Sequence, residues 1–113
     1  MNRGITSTAA LHKIAEIGNT EEIQLMLENG ADIEAQDPGA DGRTPLITAA
    51  WHFVNLETVL LLIHARADIH ARDSKGLTAL DCAYKQSTYR DMGVLARVLE
   101  GAGAGRGDSG PQN

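Results

Sequence analysis

The sequence predicts an all-α fold, a solenoid of stacked helix–turn–helix units. Three observations predict it: an internal repeat, an aliphatic composition, and helix-start signals at regular positions. Of the 113 residues, 42% are hydrophobic but only 4% are aromatic, so the core must be built mainly from Leu, Ile, Val and Ala. Such a core favours close-packed helices over a β-sandwich.

The internal repeat runs through most of the chain. The segment ALHKIAEIGNTEEIQLMLENGADIEAQD recurs as PLITAAWHFVNLETVLLLIHARADIHARD and again as ALDCAYKQSTYRDMGVLARVLEGAGA. Leu11, Leu46 and Leu80 are equivalent, and they are 35 and 34 residues apart. A single unit cannot cover its own apolar face, so neighbouring units must stack, and three is about the minimum for a stable solenoid.

Capping signals place the helix starts. Thr44 is a good N-cap, and Pro45 at the first helical position loses no hydrogen bond, because that amide would be unpaired anyway. Thr78 is expected to cap the first helix of the third repeat, with the side chain of Asp81 returning a hydrogen bond to it. In the first repeat, Asn19 is expected to open the second helix by the same device. These starts agree with the register of the repeat.

The repeated residues resemble the ankyrin repeat, whose pattern reads roughly D-x-x-G-x-T-P-L-H-x-A-A, then a turn, then V-x-L-L-L-x-x-G-A-D. The resemblance covers about residues 9–102. It is carried in the middle repeat and at the entry to the third by Thr44, Pro45, Leu46, Ala49, Ala50, Asp73, Gly76, Thr78 and Leu80. It implies one ankyrin repeat domain over residues 1–102, with repeats at about 8–37, 41–73 and 74–102 joined by short β-hairpin-like finger loops. The final helix, about residues 89–100, would be the C-terminal cap, and residues 103–113 a flexible Gly-rich tail.

Several departures from this pattern are visible. The first finger, QDPGADGR, is two residues longer than the second, since Asp32 and Thr44 are 12 apart but Asp68 and Thr78 only 10. The middle repeat is one residue longer between its helices, within WHFVN, where the usual Gly is missing. The first repeat has no preceding finger, and residues 1–7 are expected to shield its edge.

The resemblance implies that partners are met by the finger tips and by the exposed ends of the inner helices, together a concave surface. Trp51 is the key position, because a Trp flanked by Arg and Lys has the usual chemistry of an interface hot spot. An alternative is that Trp51 or Phe53 fills the gap left by the missing Gly, and for Phe53 this packing role is favoured. The predicted partner-binding residues are Glu16, Ile17, Asp41, Arg43, Trp51, His52, Lys75, Leu77, Lys85 and Gln86.

Charge and composition exclude several other classes. Residues 1–40 contain seven acidic and two basic residues, which already accounts for the whole net charge of −5. This argues against nucleic-acid binding, which normally needs a basic stripe, and is compatible either with a solvated acidic face or with a basic partner. No apolar run approaches the roughly 20 residues of a membrane span, and no signal-peptide core is visible. We therefore expect a cytoplasmic protein, monomeric on its own.

No catalytic or metal-binding pattern stands out. The four His residues include no pair at the spacing of a helical metal site, and His12 matches a His whose usual role is a structural hydrogen bond. Cys82, the single Cys, lies where a small buried residue is needed, and the Asp37–Gly42 region is a turn and not a calcium loop. The RGDS run at residues 106–109 looks like an integrin-binding tripeptide, but we discount it as a chance match. We expect neither enzymatic activity nor a cofactor.

The sequence therefore predicts a free-standing module that binds a protein through its concave face. It would act as a small inhibitor that covers a site on its partner, or as an adaptor that joins two proteins and needs a second surface. The lack of a second domain favours the inhibitor, and an enzyme is a distant alternative.

Overall fold

The computed structural model describes residues 8–53, 55–87 and 91–103, and the helices within them form two rows. The six helices are α1 (Thr8–Ile17), α2 (Thr20–Glu28), α3 (Pro45–His52), α4 (Leu56–His64), α5 (Ala79–Gln86) and α6 (Gly93–Gly101). The inner row contains α1, α3 and α5, with α3 packed between the other two, and α2 packs on α4 in the outer row. Each inner helix also packs on the outer helix that follows it, so the predicted all-α solenoid is confirmed.

The core follows the repeat register. Leu11, Leu46 and Leu80 are each at most 1% exposed, and Ala residues on the same inner helices are buried beside them. Small side chains let the inner helices approach closely, and Leu and Ile residues of the outer row close the other side of the core. The interior is therefore shared between neighbouring repeats, as the period predicted.

The predicted N-cap residues are confirmed, but the reciprocal bond expected at both Asn19 and Thr78 is present only at Thr78. The side chain of Thr44 accepts a hydrogen bond from the amide of Ile47, and Pro45 is in the first helical turn. Thr78 and Asp81 form a reciprocal capping box at the start of α5. At the start of α2, the amide nitrogen of Glu22 donates to Asn19 Oδ1 at 3.1 Å.

The predicted start of the last helix is wrong. We placed it at about residue 89, but α6 begins at Gly93, with Asp91 and Met92 outside it. The amide of Gly93 donates to Asp91 Oδ1, a local turn bond that an Asp side chain offers in place of a helical one. Residues 89 and 90 lie outside the described residues.

The finger loops differ in length as expected. The first contains a 3₁₀ turn, Pro38–Ala40, and is closed by an antiparallel bridge between Asp37 and Arg43. The second is closed by the amide of Asp73, which donates to the carbonyl oxygen of Leu77 at 2.9 Å. Within the described ranges, the bridge between Asp37 and Arg43 is an isolated pair, and no β-strand forms.

The longer loop of the middle repeat lies between α3 and α4. Phe53 takes the place that Gly18 has after α1, and both are in the left-handed region, with φ of 34° for Phe53 and 85° for Gly18. Phe53 is half-buried and packs against the core, so its predicted packing role is confirmed.

Two predictions concern regions beyond what the structure describes. The shielding role of residues 1–7 lies outside the described residues, as do the RGDS run and all of the predicted flexible tail except Gly103. In the described part of the chain, none of the helices has the length and apolar character needed to cross a membrane.

Candidate functional site: a cleft on the inner-helix and finger side

Asp41 joins the two fingers. Its backbone carbonyl oxygen accepts hydrogen bonds from both the amide and the hydroxyl of Ser74, each at 2.8 Å. Its carboxylate lies 3.7 Å from a guanidinium nitrogen of Arg43 and 3.5 Å from Nζ of Lys75. Because the contacts come from main chain and side chain together, the tips of the fingers have a defined separation.

The second finger is organised from inside by Asp73. This side chain is 7% exposed, and its Oδ1 accepts hydrogen bonds from the amides of Lys75 and Leu77, both at 2.9 Å. A buried carboxylate is stable when backbone amides donate to it in this way. The loop therefore presents Lys75 and Leu77 from a fixed backbone.

Trp51 lies at the last turn of α3, beneath the first finger. The guanidinium carbon of Arg43 is 4.5 Å from the centroid of its ring, which is a cation–π contact. The ring is half-buried and not exposed as expected, and it also packs against the core. Trp51 therefore packs locally, as one of the two alternatives expected, and part of it still reaches the surface.

These residues border an open cleft of about 570 Å³ between the second and third repeats. The residues that line it are Arg43, Trp51, Asp73, Lys75, Leu77, Lys85 and Gln86. All but Asp73 belong to the predicted partner-binding set, although they come from two fingers and two helices. The fold brings them together because α3 and α5 are neighbours in the inner row.

The other predicted residues are placed differently. Glu16 and His52 line a smaller pocket of about 150 Å³ on the first-repeat side of Arg43. Ile17 is 52% exposed at the end of α1, and Asp41 supports the cleft through its contacts with Arg43 and Lys75. The set is therefore one cleft with a smaller pocket beside it.

The smaller pocket contains two polar atoms that the sequence did not single out. Arg43 Nε and Thr48 Oγ1 are buried and have no hydrogen-bond partner among the described residues, and both side chains line the pocket. Both atoms can donate a hydrogen bond, but both are shielded from solvent. Thr48 could have been noticed as a hydroxyl within an otherwise apolar helix start.

His12 and Cys82 have structural surroundings. His12 Nε2 donates to the carbonyl oxygen of Arg43 at 2.8 Å, which ties the first repeat to the base of the first finger. Burial raises the pKa of Cys82 to about 12, and the nearby carboxylate of Asp73 acts in the same direction. A thiol with this pKa is protonated at neutral pH and is a poor nucleophile.

Metal ligation has no support in the part of the chain that the structure describes. No group of three or more His, Cys, Asp or Glu side chains lies close enough together there to hold an ion. Asp37 and Asp41 instead flank the 3₁₀ turn, where Asp37 Oδ1 accepts the amide of Gly39.

A family model described as "Ankyrin repeats (3 copies)" matches residues 2–73. The chain belongs to the ankyrin repeat family. The match ends at the entry to the third repeat, although α5 and α6 continue the same two-row stacking beyond it.

Curated proteins similar to this ankyrin chain are much longer than it. It is 36% identical over 90 residues to Rabankyrin-5 of Mus musculus, an alignment that covers 80% of this chain and 7% of that protein. It is 40% identical over 92 residues to Rabankyrin-5 of Homo sapiens, an alignment that covers 81% of this chain and 8% of that protein. The B-cell lymphoma 3 protein homolog of Mus musculus is 37% identical to it over 111 residues, which cover 98% of this chain and 23% of that protein. The chain therefore spans less than a quarter of the length of each of these relatives.

Family membership indicates the general kind of module. Ankyrin repeats are non-enzymatic modules of protein–protein interaction. In this ankyrin chain, residues at the finger and inner-helix end form the cleft of about 570 Å³.

Proposed function

We propose that this chain binds a partner protein through the cleft formed by Arg43, Trp51, Lys75, Leu77 and Lys85. The observation that carries the proposal is the convergence of residues from two fingers and two inner helices on one open cleft of about 570 Å³. Gln86 extends the same wall. A half-buried Trp in contact with an Arg is typical of a binding hot spot. The Lys and Gln side chains around it are typical of the polar rim of an interface.

The test is affinity capture from the source cell with wild type and Trp51→Ala side by side. Tyr84→Ala is the matched control, because Tyr84 is an aromatic residue on α5 whose hydroxyl donates to Glu100 of α6, outside the cleft. All three proteins must first show comparable thermal melting. We expect wild type and Tyr84→Ala to retain the same partner and Trp51→Ala to lose it. Equal capture by Trp51→Ala would restrict this ring to a packing role and overturn the proposal.

The proposal includes inhibition as the mode of action, since a single bound cleft is enough for this module to cover a site on its partner. Adding the chain to the isolated partner should then reduce one activity or one interaction of that partner. The same addition with Trp51→Ala should have no effect.

An adaptor is the second candidate, because the outer row carries a shallow cleft of its own. Leu27, Leu61 and Ala65 line it together with Gln24, Glu28 and His64, and it measures about 330 Å³. An adaptor would bind two proteins at once, and Trp51→Ala would release only one of them. If Trp51→Ala releases all of the captured proteins, inhibition is favoured over an adaptor role.

We also propose a cytoplasmic location, a monomeric state and no affinity for nucleic acid. The buried free thiol of Cys82 supports a reducing compartment, and the net charge of −5 opposes binding to a phosphate backbone. Cell fractionation, light scattering and an oligonucleotide-binding assay test these three statements separately.

A further inference from the structure

The cleft has a charge opposite to that of the chain. Arg43, Lys75 and Lys85 line it with one acidic residue, Asp73, which leaves a formal charge of +2 among the lining side chains. The whole chain has a net charge of −5, and its first 40 residues account for all of it. From this contrast we infer that the occupant of the cleft is an acidic segment of the partner that carries an apolar side chain. This inference rests on the proposed function and adds the chemistry of the partner.

The three basic side chains that line the cleft differ in whether a carboxylate of this chain already forms an ion pair with them. Asp41 faces both Arg43 and Lys75, but its own side chain is 41% exposed and that of Lys75 is 64% exposed, so solvent screens the Lys75 pair. Lys85 is exposed on the last turn of α5 and forms no ion pair with the described residues. Its ammonium group is therefore open to a carboxylate supplied by another protein.

The acidic lining residue does not cancel this positive character toward a ligand. Asp73 is 7% exposed, and its carboxylate is turned to the finger amides of Lys75 and Leu77. Backbone donors stabilise its charge from within the loop, and little of it reaches the surface. A ligand in the cleft consequently contacts cations more closely than it contacts this carboxylate.

The apolar requirement comes from Trp51 and Leu77. The guanidinium of Arg43 already lies over the Trp51 ring, which holds the ring in place without filling the cleft. Trp51 and the half-buried Leu77 line the cleft together with Lys75 and Lys85. An apolar side chain would bury area against both, while neighbouring carboxylates meet the two ammonium groups.

The same charges set the direction in which such a segment lies. Glu16 and Asp37 line the smaller pocket on the first-repeat side of Arg43 together with Lys13, and five further acidic residues lie between them in the sequence. That pocket has two acidic and two basic lining residues, whereas the cleft has three basic residues and one acidic residue, so carboxylates are attracted more strongly toward α5. The acidic residues of the occupant therefore lie toward Lys85.

Selection from a random peptide display library tests the inference without a known partner. The baits are wild type, Trp51→Ala, the pair Lys75→Glu with Lys85→Glu, and the pair Arg66→Glu with Arg97→Glu. The last pair is the matched control, since it changes the net charge equally at two exposed residues outside the cleft. We expect wild type and the control to enrich peptides with several Asp or Glu residues beside one apolar residue. We expect the cleft charge reversal to weaken binding of those peptides about tenfold or more.

Failure of the proposed binding cleft and failure of the acidic-partner inference give different results. If no enriched peptide is sensitive to Trp51→Ala, the proposed binding cleft itself fails. If enriched peptides need Trp51 but are neutral or basic, or ignore the charge reversal in the cleft, the cleft stands and the acidic partner is overturned. Equally tight binding of a labelled single-stranded oligonucleotide would also overturn it, in favour of a phosphate ligand.

Discussion

Asn55 bridges the first two repeats through Gly18. Its side-chain nitrogen donates to the carbonyl oxygen of Gly18 at 2.9 Å, while its side-chain oxygen accepts from both the amide and the hydroxyl of Thr58 at 2.8 Å. One side chain therefore caps α4 and satisfies a carbonyl group at the end of α1. The equivalent N-cap, Asn19, accepts the amide of Glu22 on an exposed surface.

Asn55→Ala should be more destabilising than Asn19→Ala for this reason. We expect loss of a cap at either site to cost about 1 kcal/mol, and loss of the bridge at Asn55 to add about 1 kcal/mol more. Urea unfolding of both variants measures the difference. Equal costs would mean that the bond to Gly18 contributes nothing to the free energy of unfolding.

Arg66→Gly should stabilise the protein. Arg66 is exposed with φ of 74°, and it takes the place of Gly30, which has φ of 95° at the end of α2. A side chain in the left-handed region costs roughly 1 kcal/mol relative to Gly, and Gly is the usual residue at this end of a helix. The midpoint of thermal unfolding should rise, and Gly30→Ala should lower it by a comparable amount. A fall for Arg66→Gly would show that this side chain makes a stabilising contact.

At Phe53 we expect Gly to be better tolerated than Ala. Both changes remove the ring from the core, at a cost of about 1–3 kcal/mol, but only Gly relieves the left-handed backbone. Since φ is 34° at this residue, Phe53→Gly should be more stable than Phe53→Ala by about 1 kcal/mol. Urea unfolding of the two variants measures this, and the reverse order would mean that the loop between α3 and α4 rearranges once the ring is gone.

Cys82 should make the protein less stable at alkaline pH. Its pKa is raised from 9.0 to about 12, so above pH 9.0 the unfolded chain loses a proton that the folded chain keeps. The free energy of unfolding should then fall by up to about 1.4 kcal/mol per pH unit until the folded thiol also ionises. Below pH 9.0 this group adds no pH dependence, because the thiol is protonated in both states.

Comparison with Cys82→Ala isolates this contribution, since Tyr and Lys residues titrate in both proteins. The stability curves of wild type and variant should be parallel below pH about 8 and should converge or cross as the pH rises to about 11. Curves that stay parallel over the whole range would show that Cys82 ionises as easily in the folded protein as in the unfolded one. Native Cys82 should also resist alkylation at neutral pH, and it should react once urea unfolds the chain.

Much of the fold could be predicted because its signals are local and repeated. Thr44 with Pro45, and Thr78 with Asp81, begin helices through hydrogen bonds that span only three residues. The start of α6 was missed because Met92, just before it, makes no side-chain capping bond. Without such a signal, a helix boundary depends on packing and is poorly visible in the sequence.

The candidate site was predicted as a set of surface positions but not as an arrangement. Trp51 and Arg43 were both expected to face a partner, yet their mutual contact depends on how the long first finger folds back over α3. Asp73 was recognised as part of the repeat pattern and not as a cleft residue, since its backbone hydrogen bonds appear only once the second finger has formed.

By itself, the sequence determined the repeat, the helical class and the buried register of Leu11, Leu46 and Leu80, because periodicity and capping are properties of neighbouring residues. Only the tertiary structure decided which polar residues share a cleft, and that the cleft is positive on an acidic chain. The physical reason is distance: Arg43 is 32 residues before Lys75 and 42 before Lys85, and it joins them in one cleft only when α3 and α5 stack.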